Sequence, residues 1–243
     1  MWSVFRRELA SFLSSLIGYL AIGVFLLILG LILFVFPDTS LLTFSYATLD
    51  QLFELAPWVF LFLIPAITMR TLAEERQQRT LELLITKPVT PGAIVTGKFL
   101  ACLVIAVLAI LPTLVYYYTV YELGSPRGNL DSGAILGSYV GLVMLAGVFC
   151  AIGVFASSLS QNQIVGFLLA ALLCFVFHFG FQLFSGLPVF IGTLDNLVQQ
   201  FGIEYHYRSI SRGLVLLPDI FYFVSVAAWF LFLSVLSLKQ VRA

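Results

Sequence analysis

Six stretches of the chain stay apolar for as long as a helix needs to cross the hydrocarbon core of a bilayer, roughly 20 residues. They fall at about 16–36, 54–72, 94–118, 135–156, 164–184 and 219–238. None alternates apolar with polar residues as a barrel strand does, so only helices can satisfy their backbone groups in lipid. The expected fold is all-α: a polytopic membrane protein with six transmembrane helices, one domain over residues 1–243. Composition points the same way. With 61% of residues apolar and 10% charged, the chain has more apolar surface than a soluble core of this length can hide.

The charges balance, 12 Lys+Arg against 12 Asp+Glu, which leaves no dominant basic face for a nucleic acid. Cys102, Cys150 and Cys174 all lie inside apolar runs and read as small buried hydrophobes rather than a disulfide framework or a metal site. Charge distribution sets the orientation. Nine of the twelve basic residues sit at the N-terminus (Arg6, Arg7), after the second span (Arg70, Arg76, Arg79, Lys87, Lys98) or at the C-terminus (Lys239, Arg242). By the positive-inside rule both termini are expected in the cytoplasm.

The first apolar run is too long for a signal peptide and lacks a small-x-small cleavage pattern, so it is read as a span. Ahead of it Trp2, Phe5, Leu9 and Leu13 recur at helical spacing around Arg6 and Arg7, as in a helix over 1–13 lying in the membrane interface. The interior of the spans holds no Asp, Glu, Lys or Arg, which argues against a proton or sodium relay. His178 in the fifth span is the one strongly titratable group there; a lone histidine is more often a neutral helix-to-helix hydrogen-bonder than a proton carrier. Gly133, Gly137 and Gly141 give the fourth span a smooth stripe for close helix approach, within the chain or across a dimer. Pro112 is expected to kink the third span.

The most informative stretch is EERQQRTLELLITKP, from Glu74 to Pro88, between the second and third spans. Glu75 and Arg79 stand at i and i+4 with the acid first, Leu81, Leu84 and Ile85 form an apolar strip, and Pro88 and Pro91 end the run. A short charged helix over 74–86 is expected to project into the cytosol. The bland alternative is a solvated loop that only enforces orientation. The pattern EE-R-x-x-x-T-L-E-L-L-x-x-x-P, followed by Gly97-Lys98 at the next span, resembles the permease subunits of ABC-2 type transporters. That resemblance implies a coupling helix here, with Arg70, Glu74, Glu75, Arg76, Arg79, Thr80, Glu82 and Leu83 meeting a separate ATPase.

Further stretches resemble the permeases of gliding-motility-associated ABC transporters. They are Ser14 to Tyr19, Leu55-Ala56-Pro57-Trp58 with 60–70, Ala156 to Leu159 with Asn162 to Val165, and Tyr205 to Gly213. The resemblance covers nearly the whole chain and implies an ATPase partner resembling GldA and a second membrane subunit resembling GldG. ATP and Mg would be bound by that ATPase; the chain has no Gly-x-x-x-x-Gly-Lys-Ser/Thr phosphate cradle, and no cofactor, metal or catalytic residue of its own is expected. The short connection 157–163 is read as a second, smaller cytoplasmic contact.

On the outer side Leu187, Phe190, Ile191, Leu194, Leu197, Val198 and Phe201 follow helical spacing, as in an amphipathic helix at the interface. After it Tyr205, His206, Tyr207, Arg208 and Arg212 could anchor in the interface, or meet a partner's outer domain or a lipid phosphate. The favoured function is a permease subunit coupling a partner's ATP hydrolysis to export or to conformational work supporting gliding motility. The alternatives are a non-transporting membrane anchor for a motility or secretion machine and, less favoured, a stand-alone channel or carrier.

Overall fold

Four of the apolar stretches become helices that open on a polar side-chain cap, Ser15, Thr90, Asp131 or Asn162. A computed structural model of the chain describes residues 1–36, 40–41, 48–80, 89–186 and 195–242, and no strand occurs among them. Helix α1 spans Trp2–Leu13 and α2 spans Leu16–Phe34; the Ser15 hydroxyl between them accepts from Gly18 N at 3.3 Å and caps α2. Helices α3 (Asp50–Thr68) and α4 (Arg70–Gln77) follow, separated only by Met69. Helix α5 (Pro91–Ile110) opens on a Thr90 cap with proline in its first turn, where the missing N–H costs nothing. After a 3-10 turn at Leu111–Thr113, around Pro112, the span continues as α6 (Leu114–Leu123).

Helix α7 (Ser132–Leu159) begins on Asp131, whose carboxylate accepts from Ala134 N at 3.0 Å. Helix α8 (Gln163–Phe175) begins on Asn162, which accepts from Ile164 N at 2.8 Å. It widens into a π turn at Val176–Gly180 before α9 (Phe181–Ser185). Two short helices, α10 (Asp195–Gln200) and α11 (Ile203–Ile210), precede the last span, α12 (Leu217–Arg242).

Five of these runs are long and apolar enough to cross a membrane singly: Asp50–Gln77, Pro91–Leu123, Ser132–Leu159, Gln163–Ser185 and Leu217–Gln240. The α1–α2 pair, bent by 67°, makes a sixth if counted as one span. The chain is an all-α polytopic membrane protein. Its centre is α7: 72% of the apolar window of Ser132–Leu159 is buried, against 17% for Leu217–Gln240, which faces outward. Both termini share one end of the bundle. The Ser237 hydroxyl near the C-terminus donates to Ser158 O at 3.1 Å, and α1 rests on the start of α5, where a Cβ on Gly97 would meet Met1 O at 3.0 Å. This end is called proximal below, the other distal.

Glycines set the close approaches. A Cβ on Gly137 would stand 2.6 Å from Gly213 O, one on Gly141 would collide with the Ile210 side chain, and one on Gly153 with Thr68. The stripe at Gly137 and Gly141 therefore seats the α11 turn within the chain, while Gly133 meets only the side chain of Asp131.

The structure refines two expectations and corrects one. The distal amphipathic helix is seen from Asp195 to Gln200 as α10, and the Tyr205–Arg208 cluster that follows falls on a separate helix, α11, anchored by buried Ile203, Tyr207 and Ile210. Leu187, Phe190, Ile191 and Leu194 lie outside the described residues. Lys98, assigned to the connection, lies two turns inside α5 and is fully buried, so the helical interior does hold a charge. The N-terminal helix also packs inward, with Val4 buried against α5 while Trp2 on its opposite side is exposed.

Candidate coupling site

The proximal end is built around the overrun of the second span. Twenty-eight residues from Asp50 to Gln77 make a run of about 42 Å at 1.5 Å per residue, against about 30 Å of hydrocarbon, and the charged Arg70, Glu74, Glu75 and Arg76 suit α4 to the excess. The junction at Met69 has a side-chain cause. Ser157 of α7 inserts its hydroxyl there, donating to Met69 O at 3.0 Å and accepting from Leu72 N and Ala73 N, each at 3.0 Å. A hydroxyl placed in the helical ladder interrupts it while leaving its buried groups satisfied. Ser157 is thus a staple between α4 and α7 rather than part of a solvent-facing connection; the exposed part of 157–163 is Leu159, Gln161 and Asn162.

Beside this staple lies a charge cluster joining α1, α4 and α5. Lys98 Nζ reaches Glu8 Oε1 at 2.9 Å and Glu75 Oε1 at 3.0 Å, and it also donates to Thr71 O. Arg7 closes the ring from outside, 2.8 Å from Glu8 and 2.6 Å from Glu75. Two cations and two carboxylates balance, which is what makes a fully buried ammonium tolerable. Burial alone would push the Glu8 carboxyl up, but Lys98 and Arg7 outweigh it and hold it below its ordinary range. The Arg7 guanidinium, although burial opposes its charge, is held above its usual value by Glu8 and Glu75.

The anticipated coupling residues divide by where they face. Arg70 pairs with Glu74 within α4 at 3.1 Å, and Glu75 turns inward to Lys98 and Arg7 rather than to Arg79. Arg76 is partly buried, its Nε has no partner among the described residues, and desolvation draws its guanidinium down. Gln77, Gln78, Arg79 and Thr80 are exposed. Arg79 adopts φ +55°, a left-handed conformation that stops the helix, and Thr80 N returns to Glu75 O at 2.9 Å. Among the described residues the helix at this place runs 70–77 as an extension of the span and is interrupted at 78–80; the rest of the expected 74–86 helix, with Leu81, Glu82, Leu83, Leu84 and Ile85, lies outside the described residues.

Two partners in the cluster, Glu8 and Lys98, escape the sequence reading. The only hint was a lysine four residues into a strongly apolar run. Gly92 and Gly97-Lys98 have the spacing of a phosphate-binding loop, but both glycines lie inside helix α5, Phe99 follows, and Lys98 is held by the two carboxylates. A phosphate cradle needs a loop of free N–H groups ahead of its helix, and this segment offers none.

At the distal end the expected cluster is dispersed. Tyr207 is buried and donates to Phe53 O at 2.8 Å, bracing α11 against α3; burial pushes its phenol up. His206 lies between Asp219 Oδ1 at 2.7 Å and Gln200 O at 3.0 Å, and stacks on Tyr222. Arg208 pairs with Glu204 at 2.9 Å, while Tyr205 and Arg212 are exposed. His178 sits in the π turn, buried, with its ring edge-on to Phe149 and Phe179.

Among the described residues no cluster of His, Cys, Asp and Glu could hold a metal ion. No curated protein matches the chain. Residues 43–203, well over half of the chain, match the family described as ABC-2 family transporter protein. That span takes in the overlong second helix, the Ser157 staple and the buried lysine, and with the multi-pass helical fold it establishes that this chain belongs to the ABC-2 transporter family, whose members are the membrane-spanning permease subunits of ABC transporters.

Proposed function

We propose that the chain receives the work of a separate ABC ATPase at the tip of α4 and transmits it through the Ser157 staple and the Lys98 cluster to α7, α5 and α1. The observation that carries this reading is the exposed tip, Gln77 to Thr80, at which the long second-span run ends, fixed at its root by buried polar contacts to two other elements. A lever needs both: a free end to be pushed and a stiff base that moves the bundle. The proximal end then faces the cytoplasm, as the excess of Lys and Arg there requires, and the membrane is the bacterial inner membrane. The likeness to gliding-motility permeases supports a narrower reading, in which the ATPase resembles GldA, a second membrane subunit resembles GldG, and the work supports gliding. ATP and Mg belong to the ATPase.

The test is co-purification of the ATPase with tagged chain carrying Gln78→Glu and Arg79→Glu. Recruitment falls at least tenfold while membrane insertion is retained. Recruitment equal to the unsubstituted chain would remove the docking role from this tip.

A further inference from the structure

At the distal end, between α3 and the α8–π turn–α9 segment, lies a cleft of about 980 Å³, at the upper end of the size of small-molecule sites. Its two long walls are graded in the same direction. On α3, Asp50, Glu54 and Trp58 stand one turn apart on one face, charged at the distal end and aromatic below. On the opposite wall Phe175, His178, Gln182 and Gly186 run from apolar to polar toward the same end. Helix α11 and the turn after it close the top with Arg208 and Arg212.

The charges at the mouth are not all spoken for. Arg208 is held by Glu204, and the Gln182 amide, turned so that its oxygen and nitrogen are both satisfied, donates to Glu204 at 2.7 Å and accepts from Arg208 Nη2 at 3.0 Å. Arg212, Asp50 and Glu54 make no ion pair among the described residues. Halfway down, His178 lines the cleft with 1% of its surface exposed, and its Nδ1 has no hydrogen-bond partner among the described residues. A buried polar atom without a partner is destabilising, and the π turn that places this ring is a form often found at functional sites. Below His178 the walls lead to exposed apolar side chains: Phe62, one turn below Trp58 on α3, and Leu172 on α8. In a membrane such side chains face acyl chains.

We propose that this cleft binds a phospholipid with a zwitterionic headgroup, one ammonium and one phosphate. Asp50 and Glu54 suit the ammonium and Arg212 the phosphate. His178 and Gln182, at mid-depth, suit the ester oxygens, and the aromatic floor suits the chains. A purely anionic lipid would meet the two carboxylates, and a purely cationic amphiphile would meet Arg212. The assignment stands independently of where an ATPase docks.

The experiment is native mass spectrometry of the full chain, delipidated in detergent and titrated with dioleoyl phosphatidylethanolamine or dioleoyl phosphatidylglycerol. The expected result is one retained phosphatidylethanolamine, at least tenfold tighter than phosphatidylglycerol. Asp50→Asn with Glu54→Gln abolishes that preference, and Arg212→Gln weakens both lipids. Equal retention of the two lipids, retention unchanged by these substitutions, or no retention of either overturns the proposal; the last outcome would mark the cleft as a protein contact. Quenching of Trp58 by brominated forms of the same lipids, in a Trp2→Phe, Trp229→Phe background, reads the preference in unsubstituted cleft residues. Equal quenching by both also overturns it.

Discussion

Lys98 shows how one residue can carry the architecture of an entire end of the molecule. Its ammonium is fully buried, and the carboxylates of Glu8 and Glu75 that neutralise it come from two different helices. Lys98→Met leaves both carboxylates without their buried partner; breaking such a pair costs about 3–5 kcal/mol. A marked fall in the melting temperature of the detergent-solubilised protein is expected, with α1 released first, and an unchanged melting curve would show that the cluster holds nothing. The same cluster gives a pH signature. Because the Glu8 carboxyl is held below its ordinary value of 4.5, its contribution is complete above that pH and is lost as pH falls through the depressed value. The fluorescence of Trp2 is therefore expected to change as acidification passes below the ordinary carboxyl range, and Glu8→Gln removes that transition. None of this was legible in the sequence: Glu8 and Lys98 are 90 positions apart, and hydropathy places a lysine near a span end in the connection by default.

At the scale of elements, close approach and polar stapling decide where helices sit. Ser157→Ala removes the acceptor of two buried N–H groups and the donor to Met69 O, which is expected to cost about 1–3 kcal/mol. On the proposed reading it also uncouples α4 from α7, so ATPase activity of the complex drops while the ATPase still binds. Loss of binding together with activity would instead make Ser157 part of the docking surface. Gly141→Ala forces a Cβ into Ile210 and is expected to destabilise by about 1–3 kcal/mol, with partial recovery on adding Ile210→Ala. Thermal unfolding of the single and double variants checks it. Spans such as Ser132–Leu159 were readable because apolar length alone specifies them. The end of α4 was not, because Glu75 and Arg79 have the spacing of a helical pair, yet Lys98 and Arg7 claim the glutamate and Arg79 turns left-handed. The π turn was equally hidden: Val176 to Gly180 is as apolar as the helix around it, and one widened turn leaves no mark on periodicity.

For the whole molecule, the sequence pattern of apolar length and unequal Lys and Arg content leads to a bundle with both termini at one end, centred on α7, and the family match places that bundle among ABC-2 transporter permeases. The candidate site was only half readable. Its location between the second and third spans follows from the charged stretch, but its wiring to α1 and α7 depends on contacts between distant segments. Two ends now have distinct tasks in the proposed account: the proximal tip takes up work from an ATPase, and the distal cleft meets lipid. The most direct test of that division is photo-crosslinking with a reactive amino acid placed singly at position 79 or position 212 in cells expressing the ATPase. The account predicts an adduct with the ATPase from position 79 and none from position 212. An adduct from position 212, or none from 79 while the ATPase still co-purifies, would contradict it.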